Sequence, residues 1–235
     1  MALSHGPPIV TNGLVLCLDA ADRNSYPGSG ATWTDLSGRG NTGTLTNGPT
    51  YSSTNGGSIV FDGVDDYIST GLNVGTTNFG SAGFTFNLAL NVTNDGATDV
   101  RRMILGNSSY TVDGWSLGFN HDLSNDNRYT FNFYPSNNAV NLGFTPNFGN
   151  IEFITLLYDG SSVVQLYRNG TLLNSISLGG GTRTYRNDAL LVGYFNQGGW
   201  NTFLGNIYLV QGYRRALTAA EIQQNFNALR GRFNI

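Results

Sequence analysis

Phe84-Thr85-Phe86-Asn87-Leu88-Ala89-Leu90-Asn91-Val92 is the stretch that decides the fold class. Its even-numbered members are large and apolar, and its odd-numbered members are polar or small. Successive side chains of a strand point to opposite faces, so this alternation lays one face of a strand on a core. Runs of the same character flank it, at residues 14–18, 58–61, 66–69, 103–105 and 115–120 on either side. More follow at 129–134, 140–144, 151–158, 163–168, 171–176, 190–193 and 203–213. Turn signals separate them about every eight to twelve residues, the spacing of an all-β sandwich or barrel.

Two reversals have a local cause. Arg168-Asn169-Gly170-Thr171 sets Asn-Gly between apolar runs, predicting a type I′ hairpin because both central residues tolerate positive φ. Asp62-Gly63-Val64-Asp65 predicts a similar tight turn. One helix is legible. Thr218 and Glu221 form a capping box, and Ile222, Phe226 and Leu229 fall on one apolar stripe, with Gly231 read as the residue that ends it. This short helix is expected to dock on the sandwich. The Gly/Ser/Thr/Asn-rich stretch at 38–57 reads as a connection crossing the sandwich, since Leu45 and Tyr51 interrupt it. No fixed-period repeat appears, so solenoids and propellers are not expected. Residues 1–12 read as an N-terminal arm and 13–235 as one domain.

The chain has 235 residues, enough to bury a core without disulfides or a metal. Charged residues make up only 11%, about half the usual share, yet 14 Phe, 12 Tyr and 3 Trp argue against disorder. Lysine is absent, so all 12 basic residues are arginines. A net charge of −3 and no basic cluster argue against a nucleic-acid partner. The pairs Arg101-Arg102 and Arg214-Arg215 are expected to be exposed edge charges. Cys17, the single cysteine, lies in an apolar run and reads as a buried thiol. The N-terminus has neither the basic nor the apolar region of a signal peptide, and no stretch approaches the roughly 20 apolar residues of a membrane span. A protein folded in a cytoplasm, with no membrane insertion, is the expectation.

Four segments carry a resemblance. Residues 13–22, with Thr32-Trp33-Thr34-Asp35-Leu36-Ser37-Gly38-Arg39-Gly40-Asn41, resemble the opening of the concanavalin A-like lectin/glucanase superfamily. Residues 58–68, Ser-Ile-Val-Phe-Asp-Gly-Val-Asp-Asp-Tyr-Ile, are similar to its early hairpin. Residues 158–170 resemble its later strand and Asn-Gly turn, and residues 205–222 its closing strand and terminal helix. The resemblance implies a two-sheet antiparallel jelly-roll sandwich, laminin-G-like, with one short C-terminal helix. More narrowly, the run from Ser4 to Asn41 resembles free-standing laminin-G-like virion proteins of tailed bacteriophages.

Relatives in that superfamily include glucanases, which need two carboxylates roughly 5–5.5 Å apart when retaining. Their Glu-x-Asp-x-x-Glu pattern is missing here. Only two glutamates exist, Glu152 standing alone and Glu221 committed to the capping box. Asp65 and Asp66, read as neighbours on a strand, would point to opposite faces. His5 and His121 lack a nucleophile partner, and a Walker loop needs a lysine. No catalytic residue is expected.

Binding chemistry is the alternative. The resemblance makes calcium a candidate, with the richest oxygen cluster at Asp122, Asn125 and Asp126, with Asn127, although the loop reads first as a solvated, turn-forming one. Sugar recognition would use aromatic faces with amide side chains. Asn196, Gln197, Trp200 and Asn201, on a Gly-rich loop, have that composition, with Trp115 a second candidate and Trp33 read as core. The resulting expectation is a non-enzymatic virion structural protein, as a decoration or tail component with glycan-binding adhesin activity as a second property; a stand-alone carbohydrate-binding lectin is the alternative and a glycoside hydrolase the remote one. Its partners would be other virion proteins, further copies of itself through residues 7–9 or 232–235, or cell-surface glycans, and its place the virion.

Overall fold

The stretch 84–92 becomes the centre of a sheet. The structure, a computed structural model, describes residues 7–75, 79, 82–94, 96, 102–107, 114–119, 128–134, 140–179, 186–194 and 202–235. Its strands are β1 (Leu14–Asp19), β2 (Thr32–Trp33), β3 (Gly43–Thr46), β4 (Thr50–Ser52), β5 (Ser58–Asp62), β6 (Tyr67–Asn73), β7 (Phe84–Val92) and β8 (Arg102–Gly106). They continue as β9 (Gly114–Phe119), β10 (Tyr129–Tyr134), β11 (Val140–Asn141), β12 (Ile151–Tyr158), β13 (Val163–Arg168), β14 (Thr171–Ser177), β15 (Ala189–Val192) and β16 (Leu204–Tyr213), before the helix α1 (Ala219–Phe233).

Two antiparallel sheets of eight strands form the sandwich. One runs β14-β13-β12-β7-β16-β5-β4, and the other β11-β10-β9-β8-β15-β6-β3-β2. The long strand β16 serves β5 with its first half and β1 with its second, along the edge opposite β7. The 38–57 connection does cross the sandwich, but it also carries β3 in one sheet and β4 in the other. Asn169 and Gly170 take φ of 51° and 77°, the geometry that the Asn-Gly turn requires.

The core between the sheets is built from inward-facing side chains, among them Phe84, Phe86, Leu88 and Leu90 of β7 and Trp33, Trp115, Leu117 and Phe131 of the facing sheet. A single buried face does not describe β7, however. Its polar members Thr85 and Asn87 are as buried as its apolar ones, because α1 covers the outer face of the same sheet. Ala89, Phe153, Tyr208 and Leu209 meet Phe226 and Phe233 of the helix there. Thr155, Asn87, Gln211 and Cys17 lie in register across β12, β7, β16 and β1. They form a polar row, with Thr155 donating to Asn87 at 2.8 Å and Asn87 donating to Gln211 at 3.1 Å. Each buried polar group is satisfied by its cross-strand neighbour, so the row survives without water.

The capping box at Thr218 and Glu221 is present. Gly231 does not end the helix. It lies inside α1, which continues to Phe233 and stops at Asn234, in the left-handed region at φ 55°. The extra turn seats Phe233 against Tyr208, with ring centroids 5.6 Å apart, and brings Arg232 to Asp19 at 2.6 Å. Phe233 is thereby part of this chain's own packing, buried against the outer face of the sheet. Pro8 and Val10, just before β1, are held too, with the Pro8 carbonyl accepting from Gln224 at 2.7 Å. Val10 donates its N–H to buried Asn225 at 2.7 Å, and Asn225 donates to the Tyr213 hydroxyl at 3.1 Å.

The arginine pairs also depart from expectation. Arg102 is buried, donating to the Thr202 carbonyl at 3.0 Å, while Arg101 lies outside the described residues. Arg214 is exposed as expected, and Arg215 grips Glu221 through its two terminal guanidinium nitrogens. No helix among the described residues is long and apolar enough to cross a membrane.

Candidate functional site

A cavity of about 260 Å³ opens where the start of β1 in one sheet faces β6 in the other. Leu72 and buried Phe79 give it an apolar floor, and Arg39, Asn41, Asn73 and Arg214 supply its polar wall. Local sequence explains the assembly. Arg39 sits between Gly38 and Gly40, both at φ 76°, in a tight loop that folds back over β6. Gly71 permits the approach, since a Cβ there would lie 3.2 Å from the Asn41 Cα. Asn41 fixes the loop to β1 by donating to the Val15 carbonyl at 2.7 Å, and Arg214 is set at the end of β16 by its N–H on the Gly13 carbonyl at 2.8 Å.

The charges of this wall are uncompensated. Arg168, Arg186, Arg215 and Arg232 each pair with a carboxylate, whereas Arg39 and Arg214 pair with none among the described residues. Among the described residues, no aspartate or glutamate lines the cavity. Asn73 is spent structurally, donating to the Asn187 carbonyl and accepting from the Gly75 N–H. The arrangement offers cationic donors above an apolar floor, which suits a small polar ligand with one hydrophobic face.

A second constellation lies at the β5–β6 turn. Carboxylate oxygens of Asp62, Asp65 and Asp66 come within 4.8 Å of one another. The strand-alternation argument for Asp65 and Asp66 fails here because both belong to the turn, where side chains can converge. Asp66 is buried and accepts from the Asp62 N–H at 2.9 Å, while Asp62 accepts from the Val64 N–H at 2.8 Å. Burial raises the Asp66 carboxyl above its ordinary range, against the hydrogen bond from the Asp62 N–H and with the charges of Asp62 and Asp65 adding to it. An all-oxygen set of this kind fits a hard divalent cation better than a soft metal, although calcium wants six to eight oxygens and two of these carboxylates already serve backbone donors. Arg102 supplies positive charge at the same turn by its approach to the Gly63 carbonyl at 3.5 Å. None of the three aspartates lines the cavity.

Glu152 is structural. It faces inward from β12, where the Tyr129 hydroxyl of the opposite sheet donates to it and Arg168 lies 2.8 Å away. Burial raises its carboxyl above the usual range against the opposing pull of Tyr129 and Arg168. The group ties the two sheets together.

Asn196, Gln197, Trp200 and Asn201 lie outside the described residues, as do Asp122, Asn125 and Asp126 with Asn127. The ends of the first loop are fixed nonetheless. Tyr194 stacks on Tyr67 with centroids 4.8 Å apart, and the Thr202 carbonyl accepts from Arg102. Trp115 is fully buried, stacked on Phe84 at 4.6 Å and on Phe131 at 6.1 Å, so its faces are taken by core rings. Trp33 is core, as expected. The cavity residues escaped sequence reading because they come from four distant segments. The Gly38-Arg39-Gly40-Asn41 turn was the one local signal.

The described fold has relatives in known structures. The binding domain of Paraclostridial Mosquitocidal Protein 1 superposes with a TM-score of 0.70 at 15% identity, covering 93% of this chain and 52% of that one. The receptor binding domain of a botulinum neurotoxin C/D mosaic serotype gives 0.71 at 15% identity, covering 92% and 51%. Trypanosoma rangeli sialidase, in complex with sialic acid, gives 0.69 at 16% identity, covering 99% and 37%. The chain thus spans about half the length of the toxin domains and little more than a third of the sialidase. At these identities the likeness is one of fold alone. Comparison with curated proteins gives no match. The Laminin_G_3 family model, described as Concanavalin A-like lectin/glucanases superfamily, matches residues 62–223, more than half of the chain. The chain therefore belongs to the concanavalin A-like lectin/glucanase superfamily, with the laminin-G-like jelly roll that its sheets describe.

Proposed function

We propose that the chain is a non-catalytic carbohydrate-binding domain whose ligand occupies the cavity between β1 and β6. The observation that carries this reading is the pairing of unspent donors, Arg39 and Arg214, with an apolar floor of Leu72 and Phe79. A sugar ring offers the complement, with hydroxyl edges for the wall and a C–H face for the floor. A volume of about 260 Å³ sits below the roughly 300–1,000 Å³ of drug-sized pockets, so the fit is to a single sugar residue. The sialidase neighbour is seen with sialic acid, which accords with the reading without locating a site here.

Both glutamates support a non-enzymatic role. Glu221 is bound to Arg215 and the helix cap, and Glu152 is sealed between the sheets, so neither faces a cleft. A glycan array on the purified chain, with calcium and again with chelator, tests the proposal. Selective binding to a defined set of glycans is expected, and a blank array under both conditions would overturn it.

A second reading makes the chain a structural component of a bacteriophage particle, packed on other virion proteins or on copies of itself. The resemblance of the run from Ser4 to Asn41 favours it, and a virion protein of this fold could serve as an adhesin through the same cavity. Assembly interfaces bury about 1,200–2,000 Å² with an apolar centre. The exposed large hydrophobics among the described residues, Leu36, Val64 and Leu172, lie on separate segments. Light scattering on the purified chain tests this reading, for which a defined symmetric oligomer is the expected result.

A further inference from the structure

We infer that the ligand of the β1–β6 cavity is an acidic sugar, recognised through its carboxylate by Arg39 and Arg214. The inference rests on the carbohydrate-binding reading and adds the charge of the ligand to it.

The argument is one of charge accounting. The chain carries 15 acidic residues against 12 arginines, so carboxylates are in excess over guanidinium groups. Arg215 on Glu221 and Arg232 on Asp19, each at 2.6 Å, use that excess, whereas Arg23 and Arg230 meet a carbonyl or an aromatic ring instead; Arg39 and Arg214 are distinguished by converging on a cavity. Two arginines from segments 175 positions apart meet at one small cavity with no carboxylate among the described residues that line it. Both guanidinium groups are exposed at the cavity and carry a positive charge that an anion seated between them would meet. Neutral sugars would leave both guanidinium groups with water or hydroxyl partners only.

The shape of the donor favours a carboxylate. Guanidinium presents parallel N–H groups that match the two oxygens of a carboxylate, and such charge-assisted pairs are about twice as strong as neutral ones. The anchoring of both residues is of the backbone: Arg214 through its N–H on Gly13, Arg39 through its N–H on the Ser37 hydroxyl at 3.2 Å. Their side chains are therefore placed by the fold yet left to adjust to a ligand. Asn41, whose amide N–H is used by Val15, keeps its oxygen on the same wall for a sugar hydroxyl.

The test compares paired glycans that differ only at the acid. Oligosaccharides ending in glucuronic acid or sialic acid, their carboxyl-reduced counterparts and sulfated neutral chains are titrated against the full chain and against Arg39→Gln and Arg214→Gln. Both substitutions are at exposed positions, and circular dichroism with thermal melting confirms that each variant is folded. Expected is at least a tenfold weaker affinity after carboxyl reduction, a similar loss in each variant, and weakening as salt rises from 50 to 500 mM, where Debye screening shortens to a few Å. Equal binding of acidic and reduced glycans, or no loss in either variant, would overturn the acidic-sugar inference while leaving carbohydrate binding in place. Preference for sulfated neutral chains over carboxylated ones would overturn the choice of carboxylate. Failure of every glycan to bind would overturn the underlying reading as well.

Discussion

Replacing Trp115 separates a core ring from a ligand platform. The side chain is 0% exposed and contacts Phe84, Phe86 and Phe131, with centroids at 4.6, 5.2 and 6.1 Å. Trp115→Ala empties most of that volume in the middle of the sandwich, a change that costs about 3–5 kcal/mol in comparable cores. For a chain of this length that corresponds to a fall of roughly 10 °C in Tm. Trp115→Phe should behave differently. It keeps one ring in the stack and leaves a smaller gap worth about 1 kcal/mol. It also deletes an indole N–H that is buried with no hydrogen-bond partner among the described residues. Removing an orphan donor recovers about 1 kcal/mol or more, so the two terms offset and the variant should melt within a few degrees of the parent. Differential scanning calorimetry with chemical denaturation measures both. A Trp115→Ala protein that melts like the parent but loses glycan binding would refute the reasoning, because the ring would then be serving a ligand instead of the core.

Asn225→Ala should cost about 2–3 kcal/mol by urea titration, since the Val10 N–H loses its acceptor at a buried site beneath the inner face of α1. Loss of less than about 0.5 kcal/mol would mean that the segment before β1 is not held by that contact. Glu221 is held down to about 2, first by its hydrogen bonds from Arg215, against a burial effect that raises it, and then by Thr218. A folded value below the unfolded one contributes stability above the unfolded pKa. That contribution is therefore lost as pH falls from about 4.5 toward 2. With the group partly exposed its size is on the order of 1–2 kcal/mol, and acid titration of the parent against Glu221→Gln should show the two curves converging below pH 3. Burial, then Asp19, pushes the Cys17 thiol up to about 12, so the native protein at pH 8 should resist alkylation by iodoacetamide over hours and react on unfolding. Rapid native labelling would show that β1 opens locally.

Particular elements show what the sequence could and could not disclose. The inward residues of β7 were readable because large apolar side chains at every second position have one physical meaning. Thr85 and Asn87 misled because their burial depends on a helix more than 120 residues away and on cross-strand partners that periodicity does not reveal. Thr218 and Glu221 announced the start of α1 locally, whereas its end was set by Phe233 finding Tyr208, a tertiary contact that overrides the Gly231 signal. Asp65 and Asp66 read as strand neighbours pointing apart, and the turn instead gathers them with Asp62. Trp115 follows Asp113-Gly114, which looks like loop chemistry, but β9 begins at Gly114 and carries the ring inward. The cavity was the least visible feature, since Gly13, Arg39, Gly71 and Arg214 become neighbours only when β1 and β6 face each other across the sandwich.

The central claim is that a sugar sits between β1 and β6, and mapping amide shifts by ¹⁵N NMR during titration with a glycan that binds on the array tests it most directly. Perturbations should concentrate at residues 13–15, 39–41, 71–73 and 214, with Arg39 and Arg214 side-chain signals moving together. Shifts centred elsewhere, with those residues unmoved, would contradict the assignment of the cavity as the binding site.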